Sequence, residues 1–154
     1  MPRTSIRLHG LCIALACGAG SCHSASAPPA APAPATVASD AVVSYRGLVD
    51  RLRHQGGTVE PGRTIEQPFF GVRGRLMRLD GSELQVYEYR DDDDARADAA
   101  KVSPTGGSIG TFMASWMAPP HFFKGSRLIV LYVGSDPAVL EALQRALGSQ
   151  FAGR

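Results

Sequence analysis

No cysteine occurs after residue 22. The 154-residue chain has three, Cys12, Cys17 and Cys22, and all precede the part that reads as globular. A folded domain without thiols holds no disulfide, thiolate nucleophile or Cys-based zinc site. A membrane-spanning run is also missing. The apolar stretch Leu11-Cys12-Ile13-Ala14-Leu15-Ala16-Cys17 is far shorter than the ~20 residues that cross a bilayer. A basic excess is missing as well. The chain carries 16 Lys and Arg against 14 Asp and Glu, and Arg3 and Arg7 precede every acid. From Asp40 onward the balance is 14 against 14. Nucleic-acid binders and polybasic membrane clamps need positive charge, so neither partner is expected. Catalytic motifs are equally scarce. There is no G-x-S-x-G elbow, and Gly106-Gly107-Ser108-Ile109-Gly110 lacks the lysine and spacing of a phosphate loop. No cofactor is expected.

What is present begins with an export signal. Arg3 and Arg7 form a positive start, residues 11–17 an apolar centre, and small residues follow. Two cleavage readings compete. Ala25-Ser26-Ala27 fits ordinary signal peptidase, giving a 1–27 signal. Gly20-Ser21-Cys22 ends like a bacterial lipobox, giving a 1–22 signal with a lipidated Cys22. Ala14-Leu15-Ala16-Cys17 is the alternative lipobox, but Cys17 would leave Cys22 as an odd thiol in an oxidising compartment. The expectation is an extracytoplasmic protein, in the periplasm or at the cell surface. It would be held to the membrane only through a lipid on Cys22, or else be secreted in soluble form. Residues 23–39 are a Pro/Ala-rich linker, and residues 40–154 form one domain.

The domain reads as alternating helices and hairpins. Val42, Tyr45, Leu48, Val49 and Leu52 recur at helical spacing after a Ser39 or Asp40 cap, and Gly56-Gly57 ends the helix. Thr58-Val59 and Thr64-Ile65 flank a turn at Pro61-Gly62. Asp80-Gly81 suits a two-residue hairpin, which sets Arg78 against Glu83, Met77 against Leu84, Arg73 against Glu88 and Val72 against Tyr89. Asp91 to Asp94 open a second helix running to about Val102. A strand is expected over Thr111–Ala118, stopped by Pro119-Pro120. The run Arg127–Val133 reads as a central strand buried on both faces. Asp136 caps a last helix with Val139, Leu140, Leu143 and Leu147 on one side and Gly148 at its end. The expected fold is α+β: a two-layer sandwich whose antiparallel sheet has four to five strands, with helices mainly on one face.

The stretches QPFFGVRGRL, VYEYRDDDDARADAA and SWMAPPHFFKGSRLIVLYVGSDPAVLEALQRALG resemble a group of small bacterial secreted or lipoprotein-type proteins. The likeness spans Tyr45 to Phe151. It implies export and a single domain. That group has no assigned activity, so no functional residue carries over.

Candidate sites are few. Asp91–Asp94 lack the alternating oxygens and glycine of a calcium loop and read as helix-start charge. Met113, Met117 and His121 suggest a soft metal, but a strand would hold the two methionines ~13 Å apart, so no metal is expected. Trp116, Pro119, Pro120, His121, Phe122 and Phe123 crowd one connection, which ought to be polar. Two readings stay open. The segment forms a ligand or partner surface with Trp116, His121, Phe122 and Phe70, or it plugs the end of the sheet. The expected function is a binding or accessory module for a protein or small ligand, with a small extracytoplasmic hydrolase of unrecognised site as the alternative; no catalytic residue is assigned.

The anchor is testable. Cys22→Ser should move the protein from the membrane to the soluble fraction, while Cys17→Ser should leave it membrane-bound. A mature chain that starts at Pro28 and is soluble would sink the lipid-anchor reading.

Overall fold

A computed structural model describes residues 44–154. Cys17, Cys22, the linker and the expected caps Ser39 and Asp40 lie outside the described residues, as does Val42. The first helix, α1, spans Tyr45–His54. Ser44 caps it, its Oγ accepting from Gly47 N at 3.1 Å. Tyr45, Leu48, Val49 and Leu52 form its buried stripe. Gly56, at φ 91°, ends it, and Gly57 N returns to Leu52 O.

Three strands follow: β1 (Val59–Ile65), β2 (Gly74–Leu79) and β3 (Ser82–Glu88). Asp80 and Gly81 both take positive φ, as the hairpin turn requires. Met77 pairs with Leu84 and Arg78 with Glu83, the register read from the sequence. The ladder stops at Gly74 and Tyr87, short of Arg73 and Val72. Arg73 instead pairs with Glu66 at 2.6 Å, and Glu88 takes Arg127 at 2.7 Å. Next come α2 (Asp92–Ala99), β4 (Ser108–Ile109), β5 (Phe112–Met113), β6 (Pro120–Gly125), β7 (Leu128–Val133), α3 (Pro137–Leu147) and β8 (Ala152–Gly153). α2 ends three residues before Val102. The strand expected over Thr111–Ala118 shrinks to β5, and Pro120 starts a strand instead of stopping one. Pro120 fits there because it sits at the first position, where a missing N–H is tolerated.

The main sheet runs β1-β2-β3-β7-β6-β8, and each neighbouring pair is antiparallel. The fold is therefore α+β, with six strands where four to five were expected. β8 adds a strand too short to show a pattern. Gly153 fits it at φ 98°, where a Cβ would lie 1.9 Å from Pro120 O. The small pair β4-β5 stands apart.

Both faces of the sheet are covered, so one covered face is not enough to describe it. On the first face, Met77, Leu79, Leu84, Val86, Phe123 and Val130 pack with residues of α1 and α3. On the second, Tyr87, Phe122, Ile129 and Leu131 pack with Ala95 of α2, and with Phe70, Val102 and Ile109. β7 supplies both cores, and five of its six residues are buried. It lies between β3 and β6, as an all-apolar strand should.

α3 gives a clean test of this packing. Asp136 caps it, with Oδ1 accepting from Ala138 N at 2.9 Å, and Leu143 is fully buried. Leu143→Ala should cost ~2–5 kcal/mol of unfolding free energy in urea titrations. Glu141, exposed beside Arg145, should change it by less than ~0.5 kcal/mol when replaced by alanine.

Candidate functional site

The candidate residues lie on the second face, around β6 and the segment before it. Phe122 is fully buried and Phe70 nearly so. The Phe70 ring meets Tyr87 edge-on at 4.6 Å, beside a hollow of about 440 Å3 formed by the 66–73 loop. Trp116 is half-buried. Its Nε1 donates to Gly106 O at 2.7 Å, and its ring contacts Phe122 and Phe69 edge-on. The structure thus brings Trp116, Phe122 and Phe70 together, but as core. They plug the second face and do not themselves form an exposed ligand surface.

His121 points the other way. Residues 121 and 122 are adjacent on a strand and face opposite sides. His121 is buried, stacks on Tyr132 at 6.1 Å, and shares a 2.8 Å hydrogen bond between Nδ1 and Gln150 Oε1. It lies opposite Gly153 of β8. This is a satisfied structural histidine, away from the aromatic plug. The adjacency rule that separates it from Phe122 was available in the sequence; its partner Gln150 and the flanking strand β8 were not.

The exposed apolar residues are neighbours of the plug that sequence reasoning did not choose. Phe112 is 41% exposed, Met113 is 79% exposed, and Met117 is fully exposed. Phe112 rests on Phe69 at 5.5 Å, which in turn touches Trp116. One signal was legible: no Lys, Arg, Asp or Glu occurs between Lys101 and Lys124. Met77, by contrast, is buried in the first-face core. Among the described residues, no three His, Cys, Asp or Glu side chains gather as metal ligands would. No described helix is long and apolar enough to cross a membrane.

The four acids at the start of α2 are all used locally. Asp91 caps the helix through Asp94 N, Asp92 binds Arg96 and Lys124, Asp93 binds Arg96, and Asp94 pairs with Arg90. The notable acid is Asp98, which the sequence did not single out. It is buried, and its Oδ2 accepts from Gly71 N at 2.7 Å and from Tyr89 Oη at 2.9 Å. Lys101 binds the other oxygen. Burial raises its pKa, but these three donors outweigh burial and hold it below the usual carboxylate value. Asp98 is a latch between α2 and the loop carrying Phe69 and Phe70.

No protein-family model, curated protein or solved structure matches this chain.

The latch has a pH signature. A carboxylate with a lowered folded pKa adds stability above its unfolded pKa, and that stability is lost as pH falls through the folded value. Asp98→Asn should therefore destabilise the domain at pH 7 and flatten the loss of stability on acidification below about pH 4. Asp98→Ala should cost on the order of 3 kcal/mol at pH 7 by stranding Gly71 N and Tyr89 Oη. Equal acid sensitivity in Asp98→Asn and wild type would overturn the role.

Proposed function

We propose that this is an exported binding or accessory module, lipid-anchored through Cys22, whose working surface is the apolar ridge of Phe112, Met113 and Met117. The observation that carries the reading is the exposure of these three large side chains on a charge-free segment that is otherwise firmly held. Large apolar side chains exposed on one short segment suit a docking surface, because covering them releases water at little electrostatic cost. The segment is ordered before binding. Ser103 N bonds Ser108 O, Gly110 N bonds Lys101 O, and Ala114 N bonds Gly107 O. An ordered segment loses little entropy on docking. Exposed methionines suit a partner surface of imperfect fit, since their side chains adapt.

The partner is proposed to be a protein. The Pro/Ala-rich composition of residues 23–39 is that of a spacer, which supports a domain that works away from its anchor. The resemblance to small secreted and lipoprotein-type proteins supports the same address. His121 lends the hydrolase alternative no support, because its ring is already stacked and hydrogen-bonded inside the protein.

A photo-crosslinking residue at position 113 or 117 should give one discrete adduct in intact cells. The same probe at Glu141 should give none. The triple change Phe112→Ser, Met113→Ser, Met117→Ser should abolish an adduct formed from a probe at Ser115, with the melting temperature kept within a few degrees. No adduct at 113 and 117, or equal adducts at 141, would overturn the reading.

A further inference from the structure

The described residues do not cover the first face of the sheet along its whole length. Two adjoining hollows, of about 560 and about 500 Å3, open where β2 begins and β3 ends, and both are lined by Tyr45, Arg75 and Glu88. Their walls hold six arginines against two carboxylates, Asp50 and Glu88. This excess is local, because the charges from Asp40 onward cancel. The cations are also of one kind: only Lys101 and Lys124 are lysines. Arginine presents a planar fork that grips an oxyanion through two parallel N–H bonds.

Several of these arginines are engaged. Arg73 holds Glu66, Arg90 holds Asp91, Arg127 holds Glu88, and Arg53 donates to Val59 O. Arg75 has no carboxylate partner among the described residues. Its guanidinium lies over the Tyr45 ring at 4.6 Å. Stacking uses the face of the guanidinium and leaves its edge N–H groups for an acceptor.

A second, independent observation comes from Tyr45. The residue is only 9% exposed, and its hydroxyl is buried with no hydrogen-bond partner among the described residues. Tyr45 lines both hollows, and buried polar groups of folded proteins are nearly always paired, so its hydroxyl is a donor still open to an acceptor. The start of α1 adds to the field. Its first turn holds no acid and carries Arg46, so no acid of that turn offsets the positive end of the helix dipole.

We infer that this groove binds a small molecule through a phosphate-type oxyanion, gripped by the Arg75 fork with Tyr45 Oη as a second, buried donor. Glu88 is neutralised by Arg127 and leaves the cationic excess in place. A soluble phosphate compound and a lipid phosphate headgroup share this chemistry. The site is separate from the apolar ridge, which lies on the opposite face.

Calorimetry on the full mature chain at low salt tests it, with inorganic pyrophosphate and phosphatidylglycerol vesicles as the two probes. At least one should bind saturably, and binding should weaken as salt rises. Binding to pyrophosphate would identify a soluble ligand; binding to vesicles alone would identify a headgroup. Arg75→Gln should weaken binding at least ~tenfold. Tyr45→Phe removes only the hydroxyl and should weaken binding ~three- to tenfold with an equal or higher melting temperature, because the unliganded protein loses an unpaired buried group. Arg145→Gln, outside the groove, should leave binding unchanged. No binding to either probe, or binding indifferent to both groove changes, would overturn the inference. It would leave the docking reading intact, since that rests on crosslinks at 113 and 117.

Discussion

A strand with no water-facing side governs this fold. β7 reads Leu-Ile-Val-Leu-Tyr-Val, and its alternating side chains feed both cores. A sheet built around such a strand must be covered twice. α1 and α3 cover the first face with a full set of leucines and valines. α2 faces the second with little more than Ala95 and Ala99. Alanines fill little space, so the remaining volume has to come from elsewhere. It comes from Phe69, Phe70, Val102, Ile109 and Trp116, which no long helix carries. The crowding of aromatics around residues 112–123 thus has a packing cause.

Bringing irregular backbone over a core raises the cost of its polar groups. The protein meets that cost group by group. Trp116 Nε1 satisfies Gly106 O, and Asp98 satisfies Gly71 N. Gly106, at φ 71°, sits so close to Phe122 and Pro120 that a Cβ would approach both to 2.9 Å. Glycine there is a requirement of close approach and of a left-handed backbone together. With the core filled, the segment still has large apolar side chains left over. Phe112, Met113 and Met117 are that surplus, and they face water.

The elements with their own punctuation were readable from the sequence. Asp136-Pro137 and Gly148 framed α3, and Asp80-Gly81 fixed the hairpin and its register. β7 was readable from composition alone. The failures share one cause, which is that distant partners decided them. Ser44, not Ser39 or Asp40, caps α1, its hydroxyl accepting from Gly47 N, and several cap-type residues close together leave the start undecided by local signals. Thr111–Ala118 is a short, largely apolar run between turn residues, yet Trp116 turns inward to Gly106 O and the strand ends at Met113. β8 rests on two residues paired to a strand thirty positions earlier in the chain, a contact no periodicity announces. Arg73 and Glu88 suited each other as a cross-strand pair, but Glu66 and Arg127 were placed better. For the candidate site, the sequence singled out Trp116, His121, Phe122 and Phe70, and the structure buries the last three while exposing Phe112, Met113 and Met117 nearby. Burial, which decides among adjacent aromatics, is a property of the assembled sheet.

The two open surfaces follow from the same covering problem solved differently on each side. Irregular chain covers the second face, and its unspent side chains are apolar. Helices cover the first face, but α1 and α3 leave the β2–β3 end bare. Charged residues occupy that end, because an uncovered sheet face must be wetted. The arginines there gather around one glutamate already claimed by Arg127, so the solution to exposure leaves a cationic groove. Tyr45 joins both worlds. Its ring belongs to the first core, while its hydroxyl ends among arginines with no acceptor for its proton among the described residues. A hydroxyl whose only role was packing would be replaceable by phenylalanine at a gain in stability. Its presence at the boundary between core and groove is what ties the covering of the sheet to the proposed binding of an anion.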